Sequence, residues 1–191
     1  ALIWPFYKCD KIKNINLFEL KIYSENGEDG IIKIIFHKIG TTNKFCVELG
    51  AGDGYVANTH YLIEKEHWGY LHIDASDNNP PLIKREYITA ENINDLFDKY
   101  DVPEEFDLLS IDIDYNTYWV WKALPGYRPR VVVVEYNASI PYDKSYAVAY
   151  DSQGTWDGTN YFGASLQAFI KLGADHNYTL VGCDSMGINA F

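Results

Sequence analysis

The sequence predicts an α/β fold: one mostly parallel, doubly wound sheet of seven strands, helices on both faces, and an antiparallel last strand. Three observations carry this. Short apolar runs of the kind shown by strands buried on both faces recur at 45–49, 70–73, 106–111 and 131–134, the last being four consecutive valines. Between them lie segments whose apolar residues fall at helical spacing, such as Ile31, Ile32, Ile34, Ile35, Phe36 and Ile39. Three of the runs end in an acid, Asp74, Asp112 or Glu135, so polar chemistry gathers at the carboxyl edge of the strands. In open α/β sheets that edge binds ligands.

With 191 residues, the chain is long enough for one α/β domain with a sizeable core and too short for two. An apolar content of 47% and an aromatic content of 16% mark a folded globule. The net charge of −11 disfavours nucleic acid or an anionic membrane as partner, because phosphate binding needs a basic face. No stretch reaches transmembrane length, and the opening residues show no signal-peptide pattern. Cys9, Cys46 and Cys183 are widely spaced with no C-x-x-C pair. They read as buried free thiols in a reducing compartment, which makes a cytoplasmic location the expectation and argues against zinc.

Residues 1–22 have no clear period and form an N-terminal arm, either packed on the domain or used to build a homodimer. The domain proper covers 23–191. Asn26, with Asp29 three residues on, is placed to cap the helix that follows. Glu28 and Asp29 either complement that helix's dipole or belong to a segment lying over a ligand pocket. The strand at 45–49 runs into Gly50, Gly52 and Gly54. A helix is expected over 55–65 and a strand over 70–73, ending in Asp74 and Ala75. Paired prolines make 76–81 a loop. A short strand over 86–92 leads into a helix over 93–100, with Asn92 as its cap. The strand at 106–111 delivers Asp112 and Asp114, and a helix over 119–124 is closed by Pro125-Gly126. The strand at 130–134 delivers Glu135 and Asn137. Residues 138–162 form a long insertion with Tyr142, Tyr146, Tyr150, Trp156, Tyr161 and Phe162. Its aromatic density argues for an ordered segment covering a substrate. A helix over 163–172, a sixth strand over 178–183 and a last strand from 189 complete the chain. His60, His67, His72 and His176 fall at no ligand spacing.

A strand that stops at glycines exposes backbone N–H groups and admits a ligand to the main chain. A dinucleotide site needs G-x-G-x-x-G, whereas the spacing here is G-x-G-x-G, preceded by Glu48. An acid there repels a pyrophosphate and suits a ligand carrying an ammonium group. Asp74, twenty residues after Gly54, can take both hydroxyls of a ribose. Glu48-Leu-Gly50-Ala51-Gly52-Asp-Gly54 with Asp74 resembles motif I and the second-strand acid of class I S-adenosylmethionine (SAM) dependent methyltransferases. Across 23–191 the order of motifs resembles the FkbM-like methyltransferases, which typically methylate hydroxyl groups. Tyr115 and Asn116 stand where that family commonly has Glu-Gly. The resemblance implies a Rossmann-like fold and SAM as cofactor. It implies SAM contacts from Glu48, Gly50, Ala51, Gly52, Gly54, Asp74, Ala75, Asn92 and Asp112, with Asn92 or its neighbours at the adenine.

Asp112, Glu135 and Asn137 are the candidate catalytic residues. Asp107 and Asp112 form a D-x-x-x-x-D pattern similar to that of catechol O-methyltransferase and related magnesium-dependent enzymes, here followed by Glu135-x-Asn137. Asp112, Asp114, Glu135 and Asn137 could hold Mg2+, which favours carboxylate and amide oxygens and acidifies a bound hydroxyl. Without metal, Asp112 serves as a base. The expected activity is O-methylation of a small hydroxylated acceptor such as a sugar, polyketide or phenol. A non-catalytic SAM-binding module and, less favoured by the glycine spacing, an NAD-dependent oxidoreductase are the alternatives. No Asn-Pro-Pro-Tyr type sequence follows the fourth strand, as base-methylating enzymes of nucleic acids would have.

Overall fold

In a computed structural model that describes residues 14–77 and 80–191, six strands form one mixed sheet in the order β3-β2-β1-β4-β5-β6. They are β1 (Phe45–Leu49), β2 (Gly69–Asp74), β3 (Ile83–Arg85), β4 (Glu105–Ile111), β5 (Arg128–Glu135) and β6 (Asn189–Ala190). The first five are parallel and β6 runs antiparallel to β5. The helices are α1 (Glu28–Ile39), α2 (His60–Glu66), α3 (Ile93–Lys99), α4 (Thr117–Lys122) and α5 (Leu166–Asp175). Among the described residues no helix is long and apolar enough to cross a membrane. Residues 1–13 of the expected arm, with Cys9, lie outside the described residues. Asn14–Phe18 turns into a short 3-10 helix.

Alternation along the strands builds two cores. Val47, Leu49, Ile73, Leu109, Ile111, Val132 and Val134 pack with residues of α3, α4 and α5. Their neighbours Cys46, Leu108, Val131 and Val133 face α1 and α2 on the other side. Both faces are thus covered, which is why the strands read as continuous apolar runs. Register then fixes the site. Leu49 lies opposite both Ile73 and Ile111, and Ile111 opposite Val134. The residues that follow these positions therefore leave the sheet at one edge.

Six strands stand where seven are expected. Residues 178–183 form no strand; they meet the chain's last residue through Val181 N–H to Phe191 O (2.7 Å) and Phe191 N–H to Gly182 O (2.9 Å), with a single bridge from Cys183 to Ala190. β6 spends its ladder on β5 and makes only this one bridge to the segment. Two helix starts also differ, for electrostatic reasons. Asn26 is no side-chain cap for α1, whose N-cap is Gly27. Instead Glu28 accepts from the N–H groups of Asn26 and Gly27 (both 2.8 Å), and Asp29 Oδ2 from those of Ile22, Tyr23 and Ser24. These acids fold the preceding turn onto the helix start. α2 begins at His60, not 55, because Glu48 draws the N–H groups of Asn58 and Thr59 to itself. The third strand lies at 83–85, ahead of the expected 86–92. The two free cysteines described, Cys46 and Cys183, are buried and half-buried.

Candidate functional site

β1 ends at Gly50, whose φ is +83°; a Cβ there would stand 1.7 Å from the carbonyl oxygen of Asp112. Only glycine lets the ends of β1 and β4 come this close. The N–H groups of Gly50 and Ala51 both donate to Ile73 O, and Gly52 N–H donates to Asp74 Oδ2 (2.8 Å). Asp74 Oδ1 accepts from Ser76 N–H (2.8 Å). Glycine turn and second-strand acid are therefore one hydrogen-bonded unit. At Gly52 a Cβ would meet no atom within 4 Å, so the turn leaves open space there.

This unit forms one wall of a cleft of 410 Å³. Of the residues expected from sequence, the cleft gathers Gly50, Gly52, Asp74, Ala75, Asp112 and Asp114. It adds Glu86, Tyr87 and Ile88 from the turn after β3, Ile113 and Asn116 after β4, and Gly154 and Thr155 from the insertion. Sequence reading passed over the 86–88 turn because it expected a strand there. A second cavity, 190 Å³ beside β5, is apolar, and its sole charged lining residue, Arg130, is paired with Asp107.

Ala51 is buried, with its N–H on Ile73 O, and does not line the cleft; four other expected residues are committed elsewhere. Glu48 is buried, and its carboxylate accepts from Asn58 N–H (2.9 Å), Thr59 N–H (2.8 Å) and Thr59 Oγ1 (2.5 Å). Burial pushes its pKa up. It ties β1 to the start of α2 rather than lining the cleft. Gly54 lies under Ile83 and His72 at a separate 160 Å³ pocket. Asn92 holds the 87–92 turn, accepting from Thr89 N–H (2.9 Å) and donating to Tyr87 O (2.8 Å), so its side chain neither caps α3 nor reaches the cleft. Asn137 is buried; it donates to Asn160 O and Phe162 O and accepts from Ser139 N–H and Oγ. Its whole amide closes the insertion on itself. Asp107, the first acid of the D-x-x-x-x-D pattern, sits at the opposite end of β4. There it accepts from the N–H groups of Thr42, Asn43 and Lys44 and pairs with Arg130 at 3.1 Å.

Asp112, Asp114 and Glu135 do converge. One carboxylate oxygen of each lies within 4.8 Å of the others. Asp114 holds the left-handed conformation (φ +59°), which Asp tolerates better than most residues. Glu135 Oε2 is buried without a hydrogen-bond partner. Burial first, then the charges of Asp112 and Asp114, push the Glu135 pKa up to about 9. Burial and Asp114 raise Asp112 to about 6. Glu25, on the turn before α1, adds to the repulsion on both. The two carboxyls therefore cannot both ionise freely, and near neutral pH the pair shares one proton. Asp114 is itself exposed to the cleft; partial desolvation and then the charge of Asp74 raise it as well.

The insertion is fastened to this edge. Asn116 Nδ2 donates to Asp151 O (2.7 Å) and Trp119 Nε1 to Val148 O (2.8 Å). The Tyr150 hydroxyl bonds Glu91 and accepts from Ala90 N–H (3.3 Å). At Gly154 a Cβ would strike the Tyr115 ring at 2.5 Å, so the insertion lies flat on that ring. The arrangement can hold a positively charged, donor-rich ligand, accept one proton, or bind a hard cation. No protein-family model and no curated protein sequence matches this chain.

Proposed function

We propose that this chain is a SAM-dependent methyltransferase, with a Rossmann-like doubly wound sheet of the class I type, that methylates a hydroxyl group of a small acceptor. The observation that carries the reading is the single cleft joining Gly50, Gly52 and Asp74 to Asp112 and Asp114. Bound there, SAM would supply an electrophilic methyl group on a positively charged sulfur. Asp74, which accepts from Gly52 N–H and Ser76 N–H, would also take the hydroxyls of a ribose on its carboxylate. The glycines keep side chains out of the way, and the acids suit a cationic cofactor while repelling a pyrophosphate. Asp112, which lines the cleft, takes the proton that an acceptor hydroxyl loses as its oxygen gains the methyl carbon and the C–S electron pair stays on sulfur. The cleft walls fix the geometry of this displacement.

A magnesium-assisted form of the same reaction is the second reading. It is favoured by the three carboxylate oxygens within 4.8 Å of one another, a set a hard divalent cation can use. Calorimetric titration with SAM and with NAD tests the cofactor. SAM should bind and NAD should not. Asp74→Ala should weaken SAM by about 1–3 kcal/mol, because ribose hydroxyls would lose their acceptor. NAD binding without SAM binding, or an Asp74→Ala variant as tight as the parent, would overturn the assignment. Transfer to a panel of sugars and phenols, with and without chelator, then separates an enzyme from a SAM-binding module and the metal route from the metal-free one.

A further inference from the structure

The charged residues that line the cleft, Asp74, Glu86, Asp112 and Asp114, are all acids. Among its described lining residues there is no Lys, Arg or His. Asp74, Asp112 and Asp114 line it, Glu135 adjoins Asp112 and Asp114, and Glu25 acts on the same group. One SAM, with a net charge of +1, matches only one of these carboxylates. A second, independent feature points to a ligand at the same place. Asn116 is 3% exposed and lines the cleft, and its Oδ1 has no partner. Donation from Nδ2 to Asp151 O at 2.7 Å fixes which way the amide lies, since the reverse would set two acceptors against each other. A buried amide oxygen without a donor costs free energy unless a ligand supplies one. Behind Gly154 of the cleft wall lies the Tyr115 ring, 6.2 Å from that of Tyr161, which is 6.5 Å from Tyr146.

We propose that the acceptor molecule is itself a cation, a hydroxylated amine such as an amino sugar. Its ammonium group is held by Asp114 and by the free Oδ1 of Asn116. This rests on the methyltransferase reading and narrows it, since phosphorylated and carboxylated acceptors are repelled and neutral ones leave the charge unmatched. Nucleoside and acceptor then occupy different stretches of the wall: Gly50, Gly52 and Asp74 for the one, Asp114, Asn116 and the insertion for the other.

The test uses the 15N-labelled chain with a chelator present, titrated with glucosamine, glucose and N-acetylglucosamine while the Asn116 side-chain amide signals are followed. Glucosamine should shift those signals saturably and bind about tenfold tighter than the two neutral sugars, the factor expected of one partly screened ion pair. Raising the salt concentration should shrink the preference. Asp114→Asn, which Asn tolerates at this positive φ, should abolish it. Equal binding of the three sugars, or no shift at Asn116, overturns the proposal. The salt dependence is read on the parent chain, so it holds even if the variant folds poorly. S-adenosylhomocysteine titrated into the same samples keeps the two readings apart. If it binds while glucosamine shows no preference, only the acceptor class falls. If glucosamine is preferred and the nucleoside does not bind, the cofactor reading falls.

Discussion

Glu135 shows how a residue acquires its chemistry from its surroundings. As a strand-end acid it is ordinary; burial beside Asp112 and Asp114 makes it a proton store with a pKa of about 9. That storage has a cost in stability with a definite sign. The folded carboxyl binds its proton more tightly than an unfolded one with pKa 4.5, so stability falls as pH rises from about 4.5 to about 9. His72 works in the opposite direction. Buried against Thr59, it has a pKa lowered from 6.5 to about 4, so its unfolded form binds more protons and stability is lost as pH falls across that interval. Glu135→Gln removes the first effect and leaves the second. Thermal melts of the ligand-free chain across this range should show the stability maximum moved to higher pH, with most of the alkaline loss gone. An unchanged pH profile would mean that Glu135 is not the group that stores the proton.

At the scale of elements, β4 carries acids at both ends with opposite duties. Asp112 and Asp114 open onto the cleft, whereas Asp107 accepts from a run of backbone N–H groups at 42–44 and from Arg130. A D-x-x-x-x-D pattern spans a strand from end to end, so its two acids cannot meet in one site. Burial and hydrogen bonds make Asp107 structural, and donors from the 42–44 turn hold its pKa down against desolvation. Asp107→Ala would take the shared acceptor from those donors and from Arg130, a loss for which water can compensate only in part. It should cost about 1–2 kcal/mol in urea unfolding and leave SAM affinity unchanged. A loss of SAM affinity in the folded variant would show that the amino end of β4 communicates with the cleft.

For the whole molecule, the insertion matters most, because it closes the cleft's outer wall without belonging to the sheet. Asn137 anchors it at one end, and Asn116 and Trp119 fasten it to the segment after β4. Asn137→Ala should therefore speed hydrogen exchange through 138–162 while β1 and β4 keep their protection. The expected destabilisation is about 2 kcal/mol from lost buried hydrogen bonds. Uniform acceleration across the chain would show instead that insertion and sheet unfold as one unit. The sequence by itself determined the parallel strands, the helices between them, the edge where the acids gather and the pairing of a glycine turn with Asp74. These follow from burial period and chain direction, which are local. Only the tertiary structure decided which polar residues face the cleft. Glu48 and Asn137 look like site residues in sequence, yet each is satisfied by backbone groups that only folding brings to it. In sequence Asn116 is only a departure from a familiar pattern. It became a candidate ligand group because the fold buried its amide, gave Nδ2 a partner from a segment 35 residues away, and left Oδ1 without one.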